Sequence, residues 1–303
     1  MAPIDTAALN SELSAKHARW RAHANPQAEL SLEEKKALLG MIVTDSDQAL
    51  ASNPPVAAAP PGPPAFAPAV DWRNRNGNHV TPVKDQKACG SCVSFCCSAL
   101  VESMASIELG QLLDLSEADS HFNSSHGPSC FGWNADACLE QIKQRGIVSE
   151  AALPYMNAFD NPPQPDPAEP TLWKPHTVAT PNRAATQVSI TNHGLISGIA
   201  ARKDYLSAHG PCAASFDVYE DFYSYGTGVY EHETGDYVGG HCVEVIGYSE
   251  AEQCWIAKNS WGSSWGGMSG FFKIAYGECN FDTYAFATAQ GVKLPVTHGW
   301  FGY

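Results

Sequence analysis

The run Gln86-Lys87-Ala88-Cys89-Gly90-Ser91-Cys92-Val93-Ser94-Phe95 constrains this chain more than any other stretch. It puts a side-chain amide, two thiols and a glycine turn directly ahead of an apolar segment that reaches Leu109. In that segment Phe95, Leu100, Met104 and Ile107 recur at helical spacing, and Gly110 supplies a stop. The reading is a loop that delivers Cys92 to the first turn of a core helix. A thiol is a weak nucleophile until it ionises, and a helix N-terminus places about half a positive charge beside it.

An imidazole close by would stabilise the thiolate further. His241 is favoured among the eleven histidines. It follows Gly239-Gly240, which leave it accessible, and opens a strand-like run, Cys242 to Tyr248. His121 and His126 lie in a polar loop and are weaker candidates. An imidazole also needs a partner to fix its ring and tautomer. Asn259, in Lys258-Asn259-Ser260-Trp261-Gly262, fits that need, with Trp261 placed to shield the contact from water.

Cys-Gly-Ser-Cys, then Gly-His, then Lys-Asn-Ser-Trp-Gly, in that order, resembles the papain-like cysteine proteases, the family of cathepsins L and B. The likeness spans roughly residues 69–288, and His241 follows Cys92 by 149 residues, close to the family's ~130–150. It implies an α+β, two-lobed papain-like fold: a helical lobe over about 85–155, an antiparallel β-barrel-like lobe over about 175–290, and the cleft between them. It implies a cysteine endopeptidase working on peptide or protein substrates, with Cys92 as nucleophile, His241 as acid and base, Asn259 as its orienter and Gln86 as oxyanion donor. No metal or cofactor is required by that chemistry. A non-catalytic peptide- or partner-binding relative and a thiol acyltransferase are the alternatives.

Residues 1–68 resemble the propeptide of a zymogen, with the catalytic domain at 69–303. Positions 1–50 read as helical, with Leu9, Leu13, Trp20, Leu30, Leu38, Leu39, Ile42 and Val43 as apolar points and Ser31-Leu32-Glu33-Glu34 as a helix start. Asn53 to Pro68 is crowded with prolines and reads as an extended linker open to cutting. Val70-Asp71-Trp72-Arg73 resembles the start of the mature domain. Further on, a second helix is expected from Trp133 to Arg145, an irregular connection over 157–181, and strands at Cys212–Val218, His241–Tyr248, Cys254–Lys258, Phe271–Ile274 and Thr283–Ala287.

A chain of 303 residues, 44% of them hydrophobic, can bury one large or two modest cores. Its formal charge of −14 argues against nucleic acid or an anionic membrane as partner, since either would repel it. The apolar runs are expected to be too short to span a membrane, and Met1–Asn10 lacks a secretory-signal layout. The ten cysteines favour an oxidising compartment, whether secreted, periplasmic or lysosome/vacuole-like. A monomer is expected.

Cys89 and Cys92 also form a Cys-x-x-Cys pair, which leaves open a redox pair or a zinc site completed by Cys130, His121 or His126. The family resemblance implies instead a Cys89–Cys130 disulfide, and a parallel bridge between Cys96 and Cys138 is a further expectation. Cys97, Cys212, Cys242, Cys254 and Cys279 cannot be paired from sequence. Val93 stands where the family has tryptophan. Trp133 stands where a glycine exposes its backbone to substrate, a role that passes to Gly132 if the register slips by one. Trp261 is expected over the His241–Asn259 contact and Trp265 on the leaving-group side. Matching places Ala135, Ser215, Gly239, Gly240, Cys242 and Tyr284 around the substrate. Tyr284 closes the pocket for the residue beside the cleaved one and supplies no carboxylate, so valine and leucine are expected there over phenylalanine or arginine.

Overall fold

The computed structural model describes residues 4–42 and 66–295. Val43, most of the proline-rich linker (up to Ala65) and the end of the expected catalytic domain, 296–303, lie outside the described residues. In the N-terminal segment Asp5 starts helix α1 (Thr6–Ala15) by accepting the N–H groups of Ala7 and Ala8. Strand β1 (Trp20–Ala22) follows, then helix α2 (Leu32–Lys36), opened by a reciprocal Ser31/Glu34 capping box. The expectation of a wholly helical region is corrected by β1. That strand joins the sheet edge opposite Thr227 and Gly228, where a Cβ on Gly226 or Gly228 would collide with the backbone of Arg21 or Arg19.

Strand β2 (Ala69–Asp71) leads into the body, and helix α3 (Cys92–Leu109) runs through it. Gly110 ends α3 at φ 65°, a left-handed conformation glycine adopts without penalty. By length and composition α3 could cross a membrane, which corrects the expectation that no run could; here 83% of it is buried inside the protein. Helix α4 (Glu117–Phe122) and helix α5 (Ala135–Arg145) pack against it. Helix α5 starts two residues later than expected because the Asn134 side chain caps it, accepting from Ala137 N–H at 2.9 Å.

The main remaining elements are β3 (Asn192–Ile196), α6 (Ile199–Ala208), β4 (Cys212–Tyr219), β5 (Tyr225–Tyr230), β6 (Tyr237–Ser249), β7 (Cys254–Lys258), β8 (Phe271–Ala275) and β9 (Phe286–Gln290). The strands run in the order β1-β5-β8-β7-β6-β4-β9-β3, with β2 on β6, as an open path. All pairs are antiparallel except β5 with β8. Strand β9 begins after the expected Thr283 because Thr283 and Tyr284 still bond back to the Asn280 carbonyl in a turn.

One core, around Val93, Leu100, Met104, Leu139 and Ile142, belongs to the helices. Another, around Phe216, Val245, Trp255 and Phe272, belongs to the sheet and takes in Leu9, Leu13 and Trp20 of the N-terminal segment. The two lobes meet where Ser103 of α3 donates to Glu244 of β6 at 2.6 Å.

Beside that junction Lys84 reaches Glu102, Asp114 and Glu117 at 3.2, 2.7 and 2.9 Å. Burial works against its charge, but the carboxylates outweigh it and raise its pKa. Replacing one member of a buried pair strands the other charge, at a cost of about 3–5 kcal/mol. Lys84→Met is therefore expected to lower the unfolding free energy by about that amount in urea titrations. A loss under about 1 kcal/mol would show that Glu102 and Glu117 do not depend on this cation.

Candidate active site

Cys92 is the first residue of α3, and its preceding residue Ser91 makes no side-chain cap to the helix. The Ser91 hydroxyl is instead engaged with Tyr155 Oη at 2.8 Å, and Tyr155 donates to the Gln86 carbonyl at 3.0 Å. The first turn therefore keeps its positive end for Cys92. A Cys89–Cys130 disulfide, with Cα atoms 4.7 Å apart, pins the loop ahead of the helix. That bond commits both sulfurs and removes the redox and zinc readings of Cys89-x-x-Cys92.

Strand β6 carries Gly239, Gly240, His241 and Cys242, and β7 ends at Lys258, opposite Glu244. The next residue, Asn259, meets His241 Nε2 through Oδ1 at 2.7 Å. Oδ1 also accepts the Ser260 N–H at 2.8 Å, which fixes the amide. With Nε2 acting as donor to this oxygen, His241 presents Nδ1 as the basic nitrogen, and Nδ1 has no hydrogen-bond partner among the described residues. The Trp261 ring lies 4.8 Å from the imidazole and is itself stacked on Tyr223 at 4.9 Å. The backbone of Cys242, the residue after His241, lies close enough to the Cys92 sulfur to favour its thiolate, so the two motifs converge from separate lobes.

Gln86 is fully buried. Its Oε1 accepts from Ser260 Oγ at 2.6 Å, which leaves Nε2 to donate to the carbonyls of Cys89 at 2.8 Å and Leu38 at 3.1 Å. Trp261 Nε1 donates to the same Leu38 oxygen at 3.3 Å.

Leu38 belongs to the N-terminal segment, which threads the site. Met41 N–H bonds to the Gly240 carbonyl at 3.0 Å, Ile42 N–H to the Trp133 carbonyl at 2.8 Å, and Trp133 N–H to the Gly40 carbonyl at 2.8 Å. A Cβ on Gly40 would overlap the Gly90 carbonyl, and one on Gly132 the Gly40 carbonyl, so three glycines form a slot of backbone thickness. Leu39 and Met41 fill the space beside Gly239 and Gly240.

Under this cover the pair is neutral. Burial pushes the His241 pKa down to about 4, against the opposing bond to Asn259. Burial pushes the Cys92 thiol up, with Cys242 adding to it, against N–H groups of Cys242, Gly40 and Val93.

The sequence matches the profile of the papain family cysteine proteases over residues 66–289. The chain belongs to the papain family. Among its relatives are pro-cathepsin H of Bos taurus, 32% identical over 225 residues, 70% of this chain and 61% of the relative, and a cathepsin L-like peptidase of Aedes aegypti, 30% identical over 269 residues, 85% of this chain and 74% of the relative. The chain thus spans less than two thirds of the length of pro-cathepsin H. Its fold is that of proCathepsin B S9 from Trypanosoma congolense (TM-score 0.74, 22% identity, 95% of this chain and 99% of that one). Procathepsin L 3 of Tenebrio molitor superposes with TM-score 0.69 at 26% identity, over 94% of this chain and 87% of that one.

Several expectations for this papain-family chain are corrected. Cys96 and Cys138 are both free; Cys96 faces Cys242 and Cys138 faces Cys97, because adjacent residues of a helix face different neighbours. Trp265 is fully buried among Phe222, Tyr225 and Phe272, with Nε1 on the Tyr223 carbonyl, so in this covered form it packs the core. Trp133 turns its indole against His121 and His126 and offers its backbone to the cleft, so it is compatible with the role of the family glycine without a slip to Gly132.

Of the expected pocket residues, Ser215 pairs with Cys242, and Asp217 pairs with Gly240 on the same face of the sheet. Ala135 opens α5 and its carbonyl faces Cys97 Sγ at 3.7 Å. Sequence reasoning missed Asp217, which accepts from Tyr284 Oη at 3.2 Å and Asn280 Nδ2 at 2.6 Å. A carboxylate therefore stands behind Tyr284. Its only sequence signal was its alternation with Ser215 in a strand.

Proposed function

We propose that this chain is the latent form of a papain-like cysteine endopeptidase, with residues 1 to about 68 as its inhibitory propeptide. The observation that carries the proposal is the Leu38 carbonyl, held by Gln86 Nε2 and Trp261 Nε1 beside a formed His241–Asn259 pair. A peptide carbonyl of the chain's own is already bound by the donor expected to receive a substrate's oxyanion.

Once the cleft is open, water returns, the cost of charge falls, and the Cys92 thiol transfers its proton to His241. The thiolate attacks the scissile carbonyl carbon, and the carbonyl electron pair moves to an oxygen stabilised by Gln86 Nε2. As the C–N bond breaks, His241 gives its proton to the leaving amine. Water, deprotonated by His241, then cleaves the thioester and releases the acid. Asn259 holds the ring through both steps. The Cys89–Cys130 disulfide supports an oxidising location, whether secreted, periplasmic or lysosome/vacuole-like.

The test is alkylation by iodoacetamide of the full chain and of the chain cut within residues 43–65, with the labelled cysteine mapped. Cutting is expected to make Cys92 the fastest-labelled thiol, ahead of the buried Cys96, Cys97 and Cys212, whose pKa values burial also raises. A cut chain in which Cys92 stays unlabelled would reject the protease reading.

Selectivity follows from Tyr284 and Asp217. In the parent, Tyr284 shortens the pocket and occupies the Asp217 carboxylate, so valine and leucine are expected over phenylalanine and arginine. Tyr284→Ala is expected to admit phenylalanine and also arginine, because it uncovers Asp217 to pair with a guanidinium. A peptide library varied at that one position reads this out. Arginine equalling leucine in kcat/KM for the parent would sink the assignment.

A further inference from the structure

His121 and His126 serve no step of the chemistry above, yet both are placed with care. Each His126 ring nitrogen faces backbone carbonyls: Nδ1 lies 3.0 Å from Gly127 O, and Nε2 lies 2.8 Å from Phe131 O and 3.4 Å from Gly132 O. The ring sits 4.1 Å from that of His121 and 5.2 Å from that of Trp133. His121 is fully buried, with Nδ1 bonded to the hydroxyl of Ser94, two residues after Cys92, at 2.8 Å. Among the described residues neither imidazole bonds to a carboxylate, and the titratable group facing His126 is His121. The two rings thus form a wedge between the helix that carries Cys92 and the extended edge Phe131-Gly132-Trp133.

We infer that His126 is a positioning residue: by donating from Nε2 to the carbonyl of Phe131 and backing the Trp133 indole, it holds the Trp133 backbone where an extended peptide pairs with it. This rests on the protease reading, and it names the part of a substrate that is recognised, the main chain on the N-terminal side of the cleaved bond. The N-terminal segment makes such a pairing with this edge, through Trp133 N–H to the Gly40 carbonyl and Ile42 N–H to the Trp133 carbonyl. It also explains how a tryptophan can replace glycine at this edge, since its side chain is accepted by the histidine pair instead of the cleft.

The test compares His126→Phe, which keeps a ring but loses the donor, with His126→Gln, which restores one. In the full chain, amide exchange at Trp133 and Ile42 should quicken about tenfold in His126→Phe, as expected for losing about one hydrogen bond's support, while amides in the middle of α3 stay unchanged. In the enzyme cut within residues 43–65, KM for peptides long enough to pair with Trp133 should rise by a similar factor. There kcat and Cys92 alkylation should stay within about twofold, a single-residue amide should show no change, and His126→Gln should recover part of the loss. Equal losses in kcat, or the same KM change for short and long substrates, would overturn the inference. So would unaltered exchange at Trp133. If His126→Phe fails to fold, the Gln variant and the substrate-length series still decide it. A parent enzyme that cleaves no peptide would defeat the protease reading, whereas a parent that cleaves with His126 variants unchanged would defeat this inference alone.

Discussion

Cys92→Ala, in the chain cut within residues 43–65, is expected to lower kcat on peptide substrates by about 10⁴- to 10⁶-fold, and His241→Ala by a comparable factor. The two residues act as one unit, because the thiolate needs the imidazole to take its proton and the leaving amine needs the same imidazole to return it. The double variant should therefore be little worse than either single one. Stopped assays with a chromogenic peptide measure all three. A loss below about tenfold for Cys92→Ala would mean that another group does the chemistry. Binding should survive, since Trp133, Gly240 and the pocket around Ser215 are untouched, so the Cys92→Ala protein should still bind the peptide it no longer cleaves.

The second large effect is loss of latency. Gly40 lies in the slot formed with Gly90 and Gly132, and a side chain there would collide with the Gly90 carbonyl. Gly40→Val is expected to displace the segment and break its three backbone bonds to Gly240 and Trp133. At about 1 kcal/mol each, that shifts the closed–open balance by about 3 kcal/mol, or roughly a hundredfold. Full-length Gly40→Val should then cleave peptides at nearly the rate of the cut enzyme, while the full-length parent does not. Equal latency in the two would show that inhibition resides elsewhere.

Proton linkage acts on the same equilibrium. In the closed form the His241 pKa is pushed down to about 4 by burial, while a solvated imidazole titrates near 6.5. The group is neutral in the closed state, so its contribution to closure is complete above about pH 6.5 and is lost as pH falls toward 4. Where Cys92 is still a thiol in the open form, that form binds more protons over this window, which favours opening by up to about 3 kcal/mol, whereas a proton merely passed from Cys92 to His241 leaves the count unchanged. The activation lag of the full chain should shorten between pH 6.5 and 4. A lag that lengthens on acidification would contradict this sign.

Much of the candidate site was legible because the residues proposed to perform chemistry sit in short, locally determined settings. Cys92 lies at a helix start that Gly110 and the apolar spacing of Phe95, Leu100 and Met104 define without reference to the rest of the chain. Gly239-Gly240-His241 lies in the first half of one strand and Asn259-Ser260-Trp261 just past the end of another, both marked by glycine and β-branched runs, so Cys92, His241, Asn259 and Gln86 could be named and the structure brings them together. What the sequence left undetermined was decided by neighbours far away in the chain. Trp20–Ala22 becomes a strand because Gly226 and Gly228 on the open edge have no side chains to exclude it, and short-range helical spacing carries no information about that edge. Cys96 and Cys138 are parted by the rotation of one residue along α3, which counting along the chain could not resolve. Trp265 is drawn into the core by Phe222, Tyr225 and Phe272, and Trp133 is turned from the cleft by His121 and His126. Asp217 gains its place behind Tyr284 from a turn that follows Cys279. Local periodicity and capping chose the elements and the reactive groups, while the direction in which each bulky side chain points was set by which partner could bury it, and that is settled only when the lobes pack.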